Sequence, residues 1–261
     1  MNRPLIIVGR TRPDRKNMAS ELVDHCGRHG INCRLTDGPP FGPEGSNPLP
    51  FPLDPASIVV FVSDAEHFPP VLAECQKHNL TLIVLSPDIT VPATATVPVI
   101  MAPNLALLNL ALLQVLPALA AMWKLCGAHQ ARMVEGRQAS EDSMSVTAVQ
   151  IADLFGVRSE DGEVVHVRGD TFGEMLLGIS GRSIQMFEKL VLTLFASGCR
   201  IQITTEVIGW EPHCLGLDVL LTKIEELGPN LTPGVYQAHE LLFPSFSEEY
   251  QEQIRTKPNQ D

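Results

Sequence analysis

Between Ile58 and Leu85 the chain reads IVVFVSDAEHFPPVLAECQKHNLTLIVL. Ile58 to Val62 is an unbroken apolar run rich in β-branched side chains and predicts a buried strand. Pro70 to His78 follows with a helical pattern, and Leu80 to Leu85 is a second apolar run. A strand, a helix and a strand in this order form the crossover unit of a parallel sheet.

Outward from that unit the alternation recurs. Leu5 to Val8 reads as a short buried strand, and Asp14 to His29 as a helix with Met18, Leu22, Val23 and Cys26 at roughly helical spacing. Ile31 to Thr36 is a second strand, and Val97 to Met101 another. Gly38 to Pro55 (GPPFGPEGSNPLPFPLDP) is too rich in Pro and Gly for regular structure and marks a long irregular connection. The repetition predicts a parallel sheet with helices on both faces, whose ligands sit at the carboxyl ends of the strands.

The second half reads differently. A helical piece, Val146 to Phe155, is followed by strand-like Val164 to Val167, Leu190 to Leu194 and Arg200 to Val207, then by a helix from His213 to Leu227. Strands outnumber crossovers, which predicts a mixed sheet with helices on one face. The expected class is α/β: an N-terminal Rossmann-like parallel-sheet domain plus a C-terminal α+β mixed-sheet domain. The first takes residues 1–126 with 217–250, the second residues 127–216 for substrate binding and oligomerisation, and 251–261 form a flexible tail.

Composition narrows the function classes. At 261 residues and 44% hydrophobic the chain can bury two ordinary cores. A net charge of −11 argues against DNA, RNA and anionic membranes as partners, since those need clustered Lys and Arg. Leu5 to Val8 is too short for a signal-peptide core, so a cytoplasmic location is expected. Six cysteines without a CxxC or Cys/His metal spacing fit free thiols in a reducing compartment and point to no metal. Leu105 to Cys126 has the length of a membrane span, but Asn109, Gln114 and Pro117 interrupt it and favour a long buried helix bent near Pro117.

Three segments carry a family resemblance. Val99-Ile100-Met101-Ala102-Pro103-Asn104 before a long helix is similar to a strand, an APN turn and an interdomain helix. Glu135 to Ala148 (EGRQASEDSMSVTA) resembles a substrate loop written ESHQASKxDTSGTA, and Pro233-Gly234-Val235-Tyr236 resembles a closing PGLY motif. Gly209 and Gly216 add a matching spacing where a strand turns into the last helix. Together they resemble the dihydrodipicolinate reductases, plant-like subgroup, the NAD(P)H-dependent reductases of bacterial and plant lysine synthesis. The resemblance implies two domains, a homo-oligomer (tetramer or dimer) built on the sheet domain, and NADPH or NADH held by Gly9, Arg12, Arg15, Ser86, Ala102 and Asn104.

The departures bear on chemistry. The family's first strand leads into GxxGxxG, and here Gly9 is followed by Arg12 and Arg15 at the other two glycine positions. A side chain at the second position stands where a phosphate should lie. The family's GTTG loop beside the nicotinamide falls at Leu85-Ser86-Pro87-Asp88. Arg137 replaces the catalytic histidine, Glu141 the proton-donating lysine, and Val146 the first glycine of the SGTA piece, while Ser145 and Thr147 remain. Glu141 reverses the charge at the donor position and would repel an anionic substrate.

Each residue keeps two readings. Arg137 can clamp a carboxylate with Gln138, Ser145 and Thr147, or pair with Glu135 or Glu141 on a solvated loop. Glu141 and Asp142 can supply a general acid or base, or be hydrated neighbours. Arg10, Arg12, Arg15 and Lys16 can hold a phosphorylated ligand or open a solvated helix. His213 reads as a cap or surface residue rather than a catalytic base, and Trp210 as a pocket wall or core. Three functions follow: a reductase with an altered NAD(P)H grip acting on a small acidic or cyclic-imine metabolite, a cofactor-independent cyclase, isomerase or lyase, or a catalytically silent binding or assembly protein.

Overall fold

A computed structural model describes residues 3–9, 17–36, 54–87, 89–125, 129–137, 145–157, 164–168, 187–196 and 198–243. They divide into two compact units, one of residues up to Leu105 with Trp210–Leu241, the other of Ala106–Gly209 with the described residues from Leu242. The sequence reading drew these boundaries at 126 and 216. They fall earlier because the long apolar helix belongs to the second unit's core, and because the helix after Gly209 belongs wholly to the first.

The first unit contains β1 (Leu5–Gly9), α1 (Met18–His29), β2 (Cys33–Thr36), β3 (Ile58–Val62), α2 (Phe68–His78), β4 (Thr81–Val84) and β5 (Pro98–Met101). After the second unit the chain returns with a helix, here α5 (Glu211–Leu227), and β10 (Gly234–Gln237), then α6 (Ala238–Leu242). The sheet order is β10-β5-β4-β3-β1-β2, every pair parallel. Ile6, Val8, Val59, Phe61, Leu82, Val84 and Val99 pack with Phe68, Val71, Leu72 and Cys75 of α2 on one face, where Phe61 meets Phe68 edge-on. Alternate residues Leu5, Ile7, Ile58, Val60, Ile83 and Ile100 are equally buried on the other face, where Gly9 looks onto Ala19 of α1. Helices therefore cover both faces, as the sequence predicts.

The second unit contains α3 (Leu107–Lys124), β6 (His129–Arg137), α4 (Val146–Phe155), β7 (Val164–Arg168), β8 (Phe187–Ala196) and β9 (Cys199–Ile208). Its sheet runs β7-β6-β8-β9, with β6–β7 parallel and the other two pairs antiparallel. One face, built on Ala131, Met133, Leu190, Leu192 and Leu194, is covered by Leu113, Leu116, Ala120 and Trp123 of α3 and by Ala148, Ile151, Ala152 and Phe155 of α4. Trp123 and Phe155 meet edge-on with ring centroids 5.5 Å apart.

Two expectations change. Strand β6 is absent from the sequence reading, because its inward set Ala131, Met133, Glu135 ends in a charge and breaks the apolar alternation. The long helix is continuous through Pro117 but is not buried all round. It is the single described helix long and apolar enough to cross a membrane, and a third of it is buried.

Candidate functional site

The strand order of the first sheet sets β1 beside β3, and the crossover from β1 to β2 runs to one side while that from β3 to β4 runs to the other. Such a switch opens a crevice at the carboxyl ends of the strands, here Gly9, Val62, Val84 and Met101. Among the residues expected to meet a cofactor, Gly9 ends β1, Ala102 directly follows β5, and Ser86 lies two residues past β4. Asn104 is buried shortly after β5. Arg12, Arg15 and the rest of the basic cluster lie outside the described residues.

The contacts at this edge are internal ones. A Cβ on Gly9 would stand 2.6 Å from Val62 Cγ1, 2.9 Å from Val62 O and 3.0 Å from Ala19 Cβ, so close packing of β3 and α1 by itself requires glycine there. The Ser86 hydroxyl donates to the Ser63 carbonyl at 2.6 Å and ties the loop after β4 to the loop after β3. The Ala102 amide donates to the Val84 carbonyl at 2.8 Å.

The N-terminus of α1, where a dinucleotide fold takes its pyrophosphate, carries its own cap. Asn17 Oδ1 accepts from the Ser20 amide at 3.0 Å, and Ser20 Oγ accepts from the Asn17 amide at 2.9 Å. This reciprocal capping box satisfies two of the amides that open the helix. Its signal in the sequence was Asn17 just before the apolar periodic run, with Ser in place of the usual Glu or Gln three residues on.

The loop after β3 holds a group the sequence reading missed. His67 Nδ1 lies 3.1 Å from Ser63 Oγ, and one ligand atom each from Asp64, Glu66 and His67 fall within 4.8 Å of one another. Glu66 Oε1 lies 3.5 Å from His67 Nε2, and both acids are exposed, the ordinary state of surface carboxylates.

In the second unit the expected binding residues gather at one end of the sheet. Ser145 is the N-cap of α4, its Oγ accepting from the Ala148 amide at 3.0 Å. Its own amide donates to both carboxylate oxygens of Glu135, at 3.1 and 3.2 Å, and Glu135 is fully buried. Thr147 is buried in the first turn of the same helix. Arg137 is the last residue of β6, two positions beyond Glu135, and its register partner on β8 is Glu188. Gln138, Glu141 and Asp142 lie outside the described residues.

Glu188 and Asn109 were not expected there. Glu188 is 4% exposed and accepts from Asn109 Nδ2 at 3.2 Å, while Asn109 is fully buried on α3. The polar group that interrupts the apolar run at Asn109 thus finds its partner across the fold. Glu188 escaped notice because the strand around it reads as starting at Leu190.

His213 differs from its surface reading. It is buried in the first turn of α5, its ring edge-on to Trp210 at 5.7 Å, and burial lowers its pKa to about 4. The imidazole is therefore neutral at neutral pH. Gly216, three residues on, lets α5 approach the chain at Leu105, since a Cβ there would overlap the Leu105 carbonyl. The five described cysteines are free, and burial pushes Cys26, Cys75 and Cys214 up to about 12, so these thiols stay protonated.

No protein-family model and no curated protein matches the chain. Among solved structures it is similar to the dipicolinate-bound dihydrodipicolinate reductase from Paenisporosarcina sp. TG-14, with 13% identity, a TM-score of 0.54, and 89% of this chain and 97% of that one covered. Aspartate dehydrogenase from Thermotoga maritima aligns at 10% identity and TM-score 0.43 over 86% and 97% of the two chains. Saccharopine dehydrogenase (L-Glu forming) from Saccharomyces cerevisiae aligns at 8% and 0.46 over 96% and 98%. The chain has an α/β, Rossmann-like fold with a second mixed-sheet unit, the fold of the Paenisporosarcina reductase.

Proposed function

We propose that this is a diverged protein on the dihydrodipicolinate-reductase fold, binding a small acidic or cyclic-imine metabolite and acting as a reductase with an altered grip on NADPH or NADH. The observation that carries the altered grip is the capping box at the start of α1, where Asn17 and Ser20 take up each other's amides. A cofactor's pyrophosphate would ordinarily rest on amides at that point. Arg12 and Arg15, at the glycine positions of the turn, offer guanidinium groups in place of backbone. The metabolite site is supported by Arg137, Ser145 and Thr147, which the β6 end and the α4 start bring to one end of the second sheet.

The same capping box favours a second reading, a cofactor-independent cyclase, isomerase or lyase that works from the second unit's residues. Titration of NADPH and NADH, followed by nicotinamide fluorescence, separates the two. Dissociation constants between about 10 µM and 1 mM, or ~4–7 kcal/mol of binding, fit the altered grip. Nanomolar affinity, with the pyrophosphate lying on the amides of residues 10 to 15 in a structure of the complex, refutes it. An absence of binding at about 1 mM removes the reductase and leaves the second reading.

A further inference from the structure

Helix α3 carries a second apolar row beside the one that packs on its own sheet. Leu108, Val115 and Met122 are 60%, 52% and 66% exposed, and Leu125 just beyond the helix is 86% exposed. Leu112 and Leu119, half-buried because their inner sides pack against the second unit's own core, complete a series at 108, 112, 115, 119 and 122. Steps of four and three residues in alternation are the heptad period, which keeps one seam facing a partner helix. Ala111 and Ala118 flank the seam and leave room for a second backbone.

Charge selects the partner. The chain carries −11, so copies of it repel over most of their surface, yet no charged residue occurs from Leu107 to Trp123. A two-fold axis near Val115 sets each seam residue against another seam residue, the self-complementarity an isologous contact needs. Leu108, Val115 and Met122, with the flanking alanines and what Leu112 and Leu119 leave exposed, present roughly 400–500 Å² per copy, or about 1,000 Å² for a pair, where specific interfaces begin.

We propose that the outer seam of α3 is a dimer contact, packed against the same helix of a second copy. This is a different face from the outer side of the second sheet, and it does not depend on the function proposed above. A lipid surface or another stretch of the same chain are the rival occupants.

The test uses the full chain at micromolar concentration, by light scattering and sedimentation. Wild type should be a dimer, and Val115→Glu should weaken association about 100-fold or more, since a carboxylate in the seam would be buried without a partner. Its circular dichroism should match wild type, and its unfolding midpoint should equal that of wild type only at dilutions where both are monomeric. In a Cys199→Ser background, Val115→Cys should form an intermolecular disulfide with oxidised glutathione. A monomeric wild type overturns the proposal, as does a Val115→Glu protein of the same assembled mass as wild type. A midpoint lowered in Val115→Glu even where both proteins are monomeric would mean that the chain covers its own seam. Phosphatidylcholine vesicles that bind wild type but not Val115→Glu, with the protein monomeric, would mean that lipid covers it.

Discussion

Replacing Gly9 with Ala separates packing from ligand binding at the position that the resemblance gives to a cofactor. The new methyl would meet Val62 Cγ1 at 2.6 Å, Val62 O at 2.9 Å and Ala19 Cβ at 3.0 Å. The valine side chain can turn aside. The carbonyl of β3 and the Cβ on α1 move only with their backbones, which belong to the sheet core and the helix against it. Overpacking of this kind costs about 1–3 kcal/mol, and the upper half of that range applies where backbone must shift. Gly9 is not among the residues with positive φ, so alanine recovers about 0.4–1 kcal/mol through the unfolded chain. The net is about 2 kcal/mol, a fall of roughly 5–10 °C in unfolding temperature for a unit of this size. In a Trp123→Phe background Trp210 is the only tryptophan and lies in the first unit, so its fluorescence follows that unit alone. A Gly9→Ala protein that melts with its parent refutes the packing argument. If it also loses NADH binding, the glycine serves a ligand instead.

Glu135→Ala removes the acceptor of the Ser145 amide and empties a fully buried site, and should destabilise the second unit by about 2–4 kcal/mol. Trp123 fluorescence in urea reads this, and a shift under about 1 kcal/mol would deny the bond its structural role. For His213 the folded pKa of about 4 lies below the ordinary 6.5, so below that pH the unfolded chain takes up a proton the folded one refuses. Stability should fall between pH 6.5 and 4, by up to about 3 kcal/mol from this residue, and His213→Asn should flatten the slope. Identical slopes in the two proteins would rule out the burial. On the proposed function, Arg137→Lys keeps the charge but loses the bidentate fork, and should weaken binding of the small acidic ligand by ~1–3 kcal/mol in calorimetry, with Arg137→Ala at least as costly. Wild-type binding in both variants would return Arg137 to a solvated role.

The first sheet was legible because its strands are short apolar runs cut by helices and turns, as in the stretch from Ile58 to Leu85. Fully buried parallel strands carry that signal without needing alternation. Strand β6 was not legible, since HQARMVEGR places Arg, Glu and Gly among its apolar residues and its burial comes from α3 and α4. The start of α1 was misplaced for a local reason: Asp14 looks like an opening acid, whereas the cap belongs to Asn17. At the site, Ser145 and Thr147 could be named from motif resemblance alone. Glu188 could not, because its meeting with Asn109 joins residues far apart in sequence whose register only the folded sheet fixes.

The division of the first unit into two pieces of chain has a consequence during synthesis. Ribosomes deliver β1 to β5 first, then the whole of the second unit, and only afterwards α5 and β10. Until that return, β5 is a bare edge with Val99 and Ile100 unpaired on one side, and the groove at Leu105 that receives Gly216 lies open. The nascent chain thus passes through a stage in which an apolar parallel sheet awaits its last strand, a template for mispairing that a chaperone would have reason to shield. The later half of the protein can finish folding before the earlier half does, so a chain released early, at Gly209, would carry a second unit able to close beside a first that cannot.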